Sequence, residues 1–130
     1  MEENYSFKID AIPPYNFELT IRKPAGWWWS SIDEEFKNDT CWTATRFKDE
    51  LLGLKLRSTG DTDKPQIHCK IYSQAKMTAS AKQLIKHMLK RALKTEEDLT
   101  PFYNLSRKDN ILRDAVLDLY GMHTVGWPEL

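Results

Sequence analysis

The chain has 130 residues and 41% hydrophobic content, enough for one ordinary core and no argument for two independently folded domains. Nineteen basic residues balance nineteen acidic ones, so the summed field does not draw the molecule to DNA, RNA or an anionic membrane, and any nucleic-acid contact must come from a local patch. No apolar run approaches the ~18 residues of a spanning helix, and the start Met1-Glu-Glu-Asn4 lacks the basic and apolar stretches of a signal peptide, so a cytoplasmic protein is expected.

Tyr5, Phe7 and Ile9 alternate with Ser6, Lys8 and Asp10, which predicts a half-buried strand. After Pro13-Pro14 the alternation resumes with Tyr15, Phe17, Leu19 and Ile21 against Asn16, Glu18, Thr20 and Arg22, predicting a second. Trp27, Trp28 and Trp29 follow the break Lys23-Pro-Ala-Gly26. In a strand Trp27 and Trp29 face one way and Trp28 the other, so at least one indole lies on a surface, in a groove or against another domain. Such a surface can stack nucleobases at ~1–3 kcal/mol each; equally, it can join core to an interdomain seam, where large aromatics are frequent. The pair Glu34-Glu35 looks like helix-start charges.

Three further alternating segments, Trp42 to Phe47, Leu51 to Leu56 and Ile67 to Tyr72, are joined by Lys48-Asp-Glu50 and by the polar stretch Ser58 to Pro65. These connections are too short for parallel crossovers, so an antiparallel meander is predicted.

The second half changes period. Ser80 and Gln83 have capping-box spacing, and Ala81, Leu84, Ile85, Met88, Leu89, Ala92 and Leu93 recur at the three-four spacing of one helical face. On the other side Lys82, Lys86, Lys90 and Lys94 form a column with His87 and Arg91. Lys82, Lys86, Lys90 and Arg91 could make weak contacts to DNA phosphates, and a solvated helix face produces the same column. Thr95 with Glu96, Glu97 and Asp98 reads as an N-cap and acidic first turn for a short helix over Leu99 to Leu105, and Ser106 with Asp109 repeats the signal. Leu112, Ala115, Val116, Leu119 and Tyr120 then share a face, and Gly121 ends the element. Trp127-Pro-Glu129 reads as the entry to a further helix, so a cut end is expected. Strands first and helices after predict an α+β layer in which a twisted antiparallel sheet buries one face under helices.

Cys41 and Cys69 fall in strand-like stretches and are expected to be reduced and packed. His68, His87 and His123 show no metal-ligand spacing with them or with one another, and no metal or cofactor is expected. A glycine-rich phosphate loop, a nucleophile elbow and a Cys-x-x-Cys site are all missing, and adjacent carboxylates on a helix do not face one another as an acid/base pair must. The chain alone is a poor candidate for an enzyme.

The phrases Asp98-Leu-Thr-Pro-Phe-Tyr-Asn-Leu105, Lys108-Asp-Asn-Ile-Leu112 and Leu117-Asp-Leu-Tyr-Gly-Met-His-Thr-Val-Gly-Trp-Pro-Glu-Leu130 resemble the approach to the catalytic domain in helix-hairpin-helix DNA glycosylases of the AlkA (3-methyladenine) type. Ile12-Pro-Pro-Tyr15-Asn-Phe17 looks like the Pro-Pro-Tyr-Asp phrase near the start of such enzymes, and Gly26-Trp-Trp-Trp29 with Asp39-Thr-Cys-Trp42 looks like a stretch of their archaeal-like members.

The resemblance implies a TATA-binding-protein-like curved antiparallel sheet over 1–95, with helices on one face. It implies a helical segment over 96–130 that begins a catalytic domain not contained in the chain. The parent protein would excise a damaged, alkylated base from double-stranded DNA after extruding it from the stack. The catalytic Asp is expected beyond Leu130, so no catalytic residue falls on this chain. Trp27, Trp28, Trp29 and Tyr15 are the residues implied at a base pocket or interdomain surface. The alternative is a stand-alone binding or dimerisation module that grips a partner through its tryptophan surface. In either case an uncovered apolar helix face can drive self-association.

Overall fold

The computed structural model describes residues 3–22, 27 and 34–123. They form the expected α+β architecture: one five-stranded antiparallel sheet of order β1-β5-β4-β3-β2, with helices against one face. The strands are β1 (Glu3–Asp10), β2 (Glu35–Lys37), β3 (Thr40–Phe47), β4 (Glu50–Ser58) and β5 (Gln66–Ser73). The meander β3-β4-β5 is as predicted, and β1 closes onto β5 with Phe7 opposite Cys69.

Two tight hairpins fix the register. Asn38 and Asp39 join β2 to β3, and Lys48 and Asp49 join β3 to β4, all four at positive φ of 48–66°. Two-residue loops with both residues left-handed match the twist of the strands they connect, and Asn and Asp tolerate that conformation best. Glu35 therefore opens the short strand β2 and does not start a helix. Three residues are too few for an alternation to show.

The segment after Pro13-Pro14 corrects a prediction. Phe17–Arg22 is a helix, α1, not a strand. Phe17 and Ile21 are four apart and fit either period. Asn16 decides between them, because its side chain accepts the Leu19 amide at 3.0 Å and its carbonyl accepts the Thr20 amide. The buried set Phe17, Thr20 and Ile21 then has helical spacing.

Helix α2 (Ala79–Leu93) lays Ile85, Leu89, Ala92 and Leu93 on the sheet, while Leu84, predicted for that face, is exposed. Its N-cap is Thr78, whose hydroxyl accepts the Ala81 amide at 3.1 Å; the Ser80–Gln83 box does not form because Ser80 already lies inside the first turn. The core beneath comprises Ile9, Ile67, Ile71, Leu52, Leu54, Leu56, Cys41 and Cys69. Both cysteines are free, and β4 runs between them, with Leu56 paired to each. Burial pushes the Cys69 thiol up to about 12 and raises that of Cys41 as well.

Helices α3 (Thr100–Ser106) and α4 (Asn110–Asp118) form a hairpin beyond α2. Thr95 is not the cap of α3: it is buried, and its carbonyl accepts the Ile12 amide at 2.8 Å. The N-cap position is Leu99, which makes no side-chain cap; Asp98 just before it accepts the Thr100 amide at 2.9 Å, and hydrogen bonds from the Thr100 hydroxyl and then from that amide hold its carboxyl below the usual carboxylate range. Pro101 is accommodated because it stands in the first turn. Asp109, not Ser106, caps α4, accepting the amides of Ile111 and Leu112. Among the described residues no helix is long and apolar enough to cross a membrane, and no three metal-capable side chains converge.

Candidate functional site

The face of α4 that periodicity marks as apolar, Leu112, Ala115, Val116, Leu119 and Tyr120, is only partly covered, and the most exposed apolar side chains of the helix, Ile111 and Leu117, lie outside it. No residue of α4 is buried, and Ile111 is 84% exposed, Leu117 71% and Leu105 on α3 64%. Phe102, Leu112, Leu119 and Tyr120 are also exposed, so the hairpin presents large apolar side chains to solvent at a density uncommon on an isolated domain. Between the two helices lies an apolar cleft of about 320 Å³, lined by Leu99, Phe102, Tyr103, Ala115, Val116, Leu119 and Met122, with Glu97 as its charged member.

The hairpin is held to the sheet layer by its last turn. Tyr103, buried between α3 and the tail, accepts the Gly121 amide on its hydroxyl at 2.8 Å and pairs its ring with Tyr120 at 5.0 Å. The Gly121 carbonyl accepts the Asn16 amide at 2.7 Å, which ties the tail to the start of α1. Two residues later the imidazole of His123 is wholly buried, 4.7 Å from the Tyr15 ring. Its Nδ1 meets Glu97 Oε1 at 3.0 Å and its Nε2 meets the Pro14 carbonyl at 3.1 Å, while its amide donates to Thr20 Oγ1. The apolar face is therefore presented on a fixed support and not on a loose tail.

The aromatic candidates separate. Tyr15 is in the core: its hydroxyl donates to the Leu93 carbonyl at 2.6 Å, and burial raises its ionisation far out of range. Trp27 is also core, 2% exposed, with its indole N–H donating to Glu34 Oε2 at 2.7 Å. Desolvation raises the Glu34 carboxyl above its ordinary range, opposed by hydrogen bonds from Trp27 and Cys41. Trp28 and Trp29 lie outside the described residues, as does the expected helix entry at Trp127. The indole that stands on a described surface is Trp42, 39% exposed on the uncovered side of β3. The strand alternation contained this information, since Trp42 has the parity opposite to Cys41 and Thr43.

The basic column of α2 is largely engaged within the chain. Lys82 Nζ stands 5.2 Å from the centre of the Tyr5 ring and Lys86 Nζ 5.7 Å from that of Phe7, so both stems cover the edge strand β1. Lys90 faces Glu96 at 3.7 Å, and Arg91 is exposed. Among the described residues the carboxylate–histidine pair at a cavity is Glu97 with His123: Glu97 lines the cleft, and the buried imidazole serves as a clasp.

No family model matches the chain, and no curated protein matches it in sequence. Among solved structures the chain is similar to a 3-methyladenine DNA glycosylase from Archaeoglobus fulgidus, with a TM-score of 0.67 and 12% identity. The match covers 95% of this chain and 39% of that one. At this identity the likeness is one of fold: an α+β arrangement of a DNA repair glycosylase is shared over nearly the whole chain.

Proposed function

We propose that this chain is the non-catalytic, TATA-binding-protein-like portion of a DNA glycosylase that removes alkylated bases by cleaving the N-glycosidic bond. Residues 1–95 supply the α+β domain, and residues 96–130 lead into a helical catalytic domain. The observation that carries the reading is the match in fold: nearly all of this chain lies on 39% of a 3-methyladenine DNA glycosylase. The uncovered apolar hairpin supports it, because a helix pair with Ile111, Leu117 and Leu105 in water has the form of one half of an interdomain core.

On this reading the bond-breaking groups lie in the further domain, and this chain contributes shape. It holds the α3–α4 face rigid through Gly121 and His123. Trp28 and Trp29 are the aromatic residues to test beside the extruded base or at the seam, since Tyr15 and Trp27 are committed to the core.

The test is release of 3-methyladenine from methylated duplex DNA by the full product of the natural gene, with the 130-residue chain alone alongside. Release by the first and none by the second supports the reading. No release by the full product overturns it, and a stable dimer of the chain sealed through α3 and α4 would then identify a self-contained dimerisation module. In the full protein Trp28→Ala is expected to lower excision more than it lowers the stability of the 130-residue chain.

A further inference from the structure

The sheet has a second face, and no described helix covers it. Strand register assigns its residues without ambiguity, because directly paired residues point to the same side. One row runs Ser6, Lys70, Lys55, Trp42, Glu35; the next runs Lys8, His68, Arg57, Thr40, Lys37, of which Thr40 is buried; and the row on the other side runs Asn4, Tyr72, Gly53, Ala44. Lys37 and Arg46 share this side by alternation along β2 and β3. The face thus carries six cations, Lys8, Lys37, Arg46, Lys55, Arg57 and Lys70, against two carboxylates, Asp10 and Glu35. In a chain whose formal charge is zero, that is a local excess of four positive charges.

None of the six is neutralised by an ion pair among the described residues, in contrast to Lys90 with Glu96 on α2. Their spacing follows from the sheet: about 5 Å between strands and about 7 Å between same-side residues of one strand. Aromatic rings stand among them. Trp42 is 39% exposed beside Lys55. Tyr72 leans over Gly53, where a side chain would begin 3.4 Å from its Cβ, and Lys70 Nζ lies 5.3 Å from its ring centre.

We infer that this open sheet face is a binding surface for single-stranded nucleic acid, in which the lysines and arginines track the phosphates and Trp42 stacks an unpaired base. Cations interleaved with an exposed indole on a sheet match the chemistry by which single strands are held without sequence preference. A duplex hides its base faces and would leave Trp42 without a role; an acidic peptide would use the charges and leave the indole unused. The inference does not rest on the glycosylase reading, since the face lies on the side of the sheet away from α2 and owes nothing to a further domain.

The experiment is fluorescence anisotropy of a labelled oligothymidine with the 130-residue chain, repeated with a duplex of equal length and with polyglutamate as competitor. Binding of the single strand is expected to weaken steeply from about 50 to about 200 mM salt, with a log–log slope near −0.7 for each phosphate contact. Lys55→Glu with Lys70→Glu is expected to weaken it by tenfold or more and to flatten the slope. Trp42→Ala is expected to cost roughly five- to a hundredfold. Lys82→Gln with Lys90→Gln on α2 should weaken binding far less than Lys55→Gln with Lys70→Gln, and an equal loss from the two pairs would overturn the inference. All these side chains stand at least partly in solvent, and circular dichroism of each variant checks the fold. No binding at low salt, tighter binding of the duplex, equal competition by polyglutamate, or indifference to Trp42→Ala would each overturn the inference.

Discussion

The Nδ1 atom of His123 lies 3.0 Å from Oε1 of Glu97, while the opposite ring nitrogen lies 3.1 Å from the Pro14 carbonyl. Each ring nitrogen thus has an oxygen partner, one from a side chain and one from the backbone. The ring is wholly buried, whereas the Glu97 side chain keeps a third of its surface in water. The two members of the pair should therefore respond unequally to mutation. His123→Ala removes two hydrogen bonds and leaves a cavity beside Tyr15, and is expected to cost about 2–4 kcal/mol in urea denaturation. Glu97→Gln keeps an acceptor in a partly solvated place and should cost less than about 1 kcal/mol. Equal losses would show that the carboxylate, and not the ring's packing, dominates.

Gly121 makes a second joint at which a single atom matters. Its φ of 85° suits glycine, and a Cβ there would stand 2.8 Å from the Asn16 backbone nitrogen and 3.0 Å from Thr62 Cγ2. Gly121→Ala combines backbone strain with loss of the Asn16–Gly121 hydrogen bond, and about 2 kcal/mol or more of destabilisation is expected. Because the joint holds the hairpin, limited proteolysis should cut first between residues 107 and 123 in the variant, at a protease level that leaves the parent intact.

How much of this was legible in the sequence depends on the reach of each signal. Strands β1, β3, β4 and β5 and helices α2, α3 and α4 were readable because alternation, helical period and capping are local. Helix α1 was misread because Phe17 and Ile21 satisfy both periods, and Asn16 as a cap was overlooked. The caps of α2 and α4 were each misplaced by two or three residues, where several Ser, Thr and Asp compete for one role. The clasp could not be read at all: His123 meets partners 26 and 109 residues away, and nothing local to it announces either. The apolar stripe of α4 was visible as spacing, but its exposure is a property of what packs against it. The cationic sheet face was hidden by the balanced total charge, and only strand register gathers Lys8, Lys55, Arg57 and Lys70 onto one side.

The indole of Trp27 and the carboxyl of Glu34 predict a pH effect of definite sign. Burial raises Glu34 above its ordinary value of 4.5, so the folded state holds the proton more tightly than the unfolded chain. Stability from this group consequently falls as pH rises from 4.5 through the raised value, and at neutral pH the charged carboxyl carries the penalty. Glu34→Gln keeps an oxygen for the Trp27 N–H without the charge, and at pH 7 should be at least as stable as the parent. Glu34→Ala leaves the indole N–H unpaired in the core and should cost about 1–2 kcal/mol. Thermal melts of the three proteins at acid and neutral pH decide it.

The raised thiols of Cys41 and Cys69 give a kinetic prediction. Alkylation proceeds through the thiolate, which burial disfavours at both positions. Both should resist iodoacetamide in the native protein near pH 8 and react together once urea unfolds the sheet, as intact mass would report. Reaction of one thiol at native conditions would show that its strand opens alone.

The α3–α4 face carries the last prediction. An exposed apolar side chain contributes little to the fold of the chain that bears it, so Ile111→Asp and Leu117→Asp should each change urea stability by less than about 0.5 kcal/mol. The same changes should remove concentration-dependent association of the 130-residue chain, followed by sedimentation velocity, because association through this face is driven by apolar area withdrawn from water. On the proposed reading, in which a longer protein carries a further domain, the sign of the stability effect should reverse there. If a further domain covers α4, a charge at Ile111 or Leu117 is buried without a partner and destabilises by about 2 kcal/mol or more. A variant that is silent in the short chain and damaging in the full protein would locate the interdomain core at these two residues; silence in both would leave the face to solvent or to a different partner.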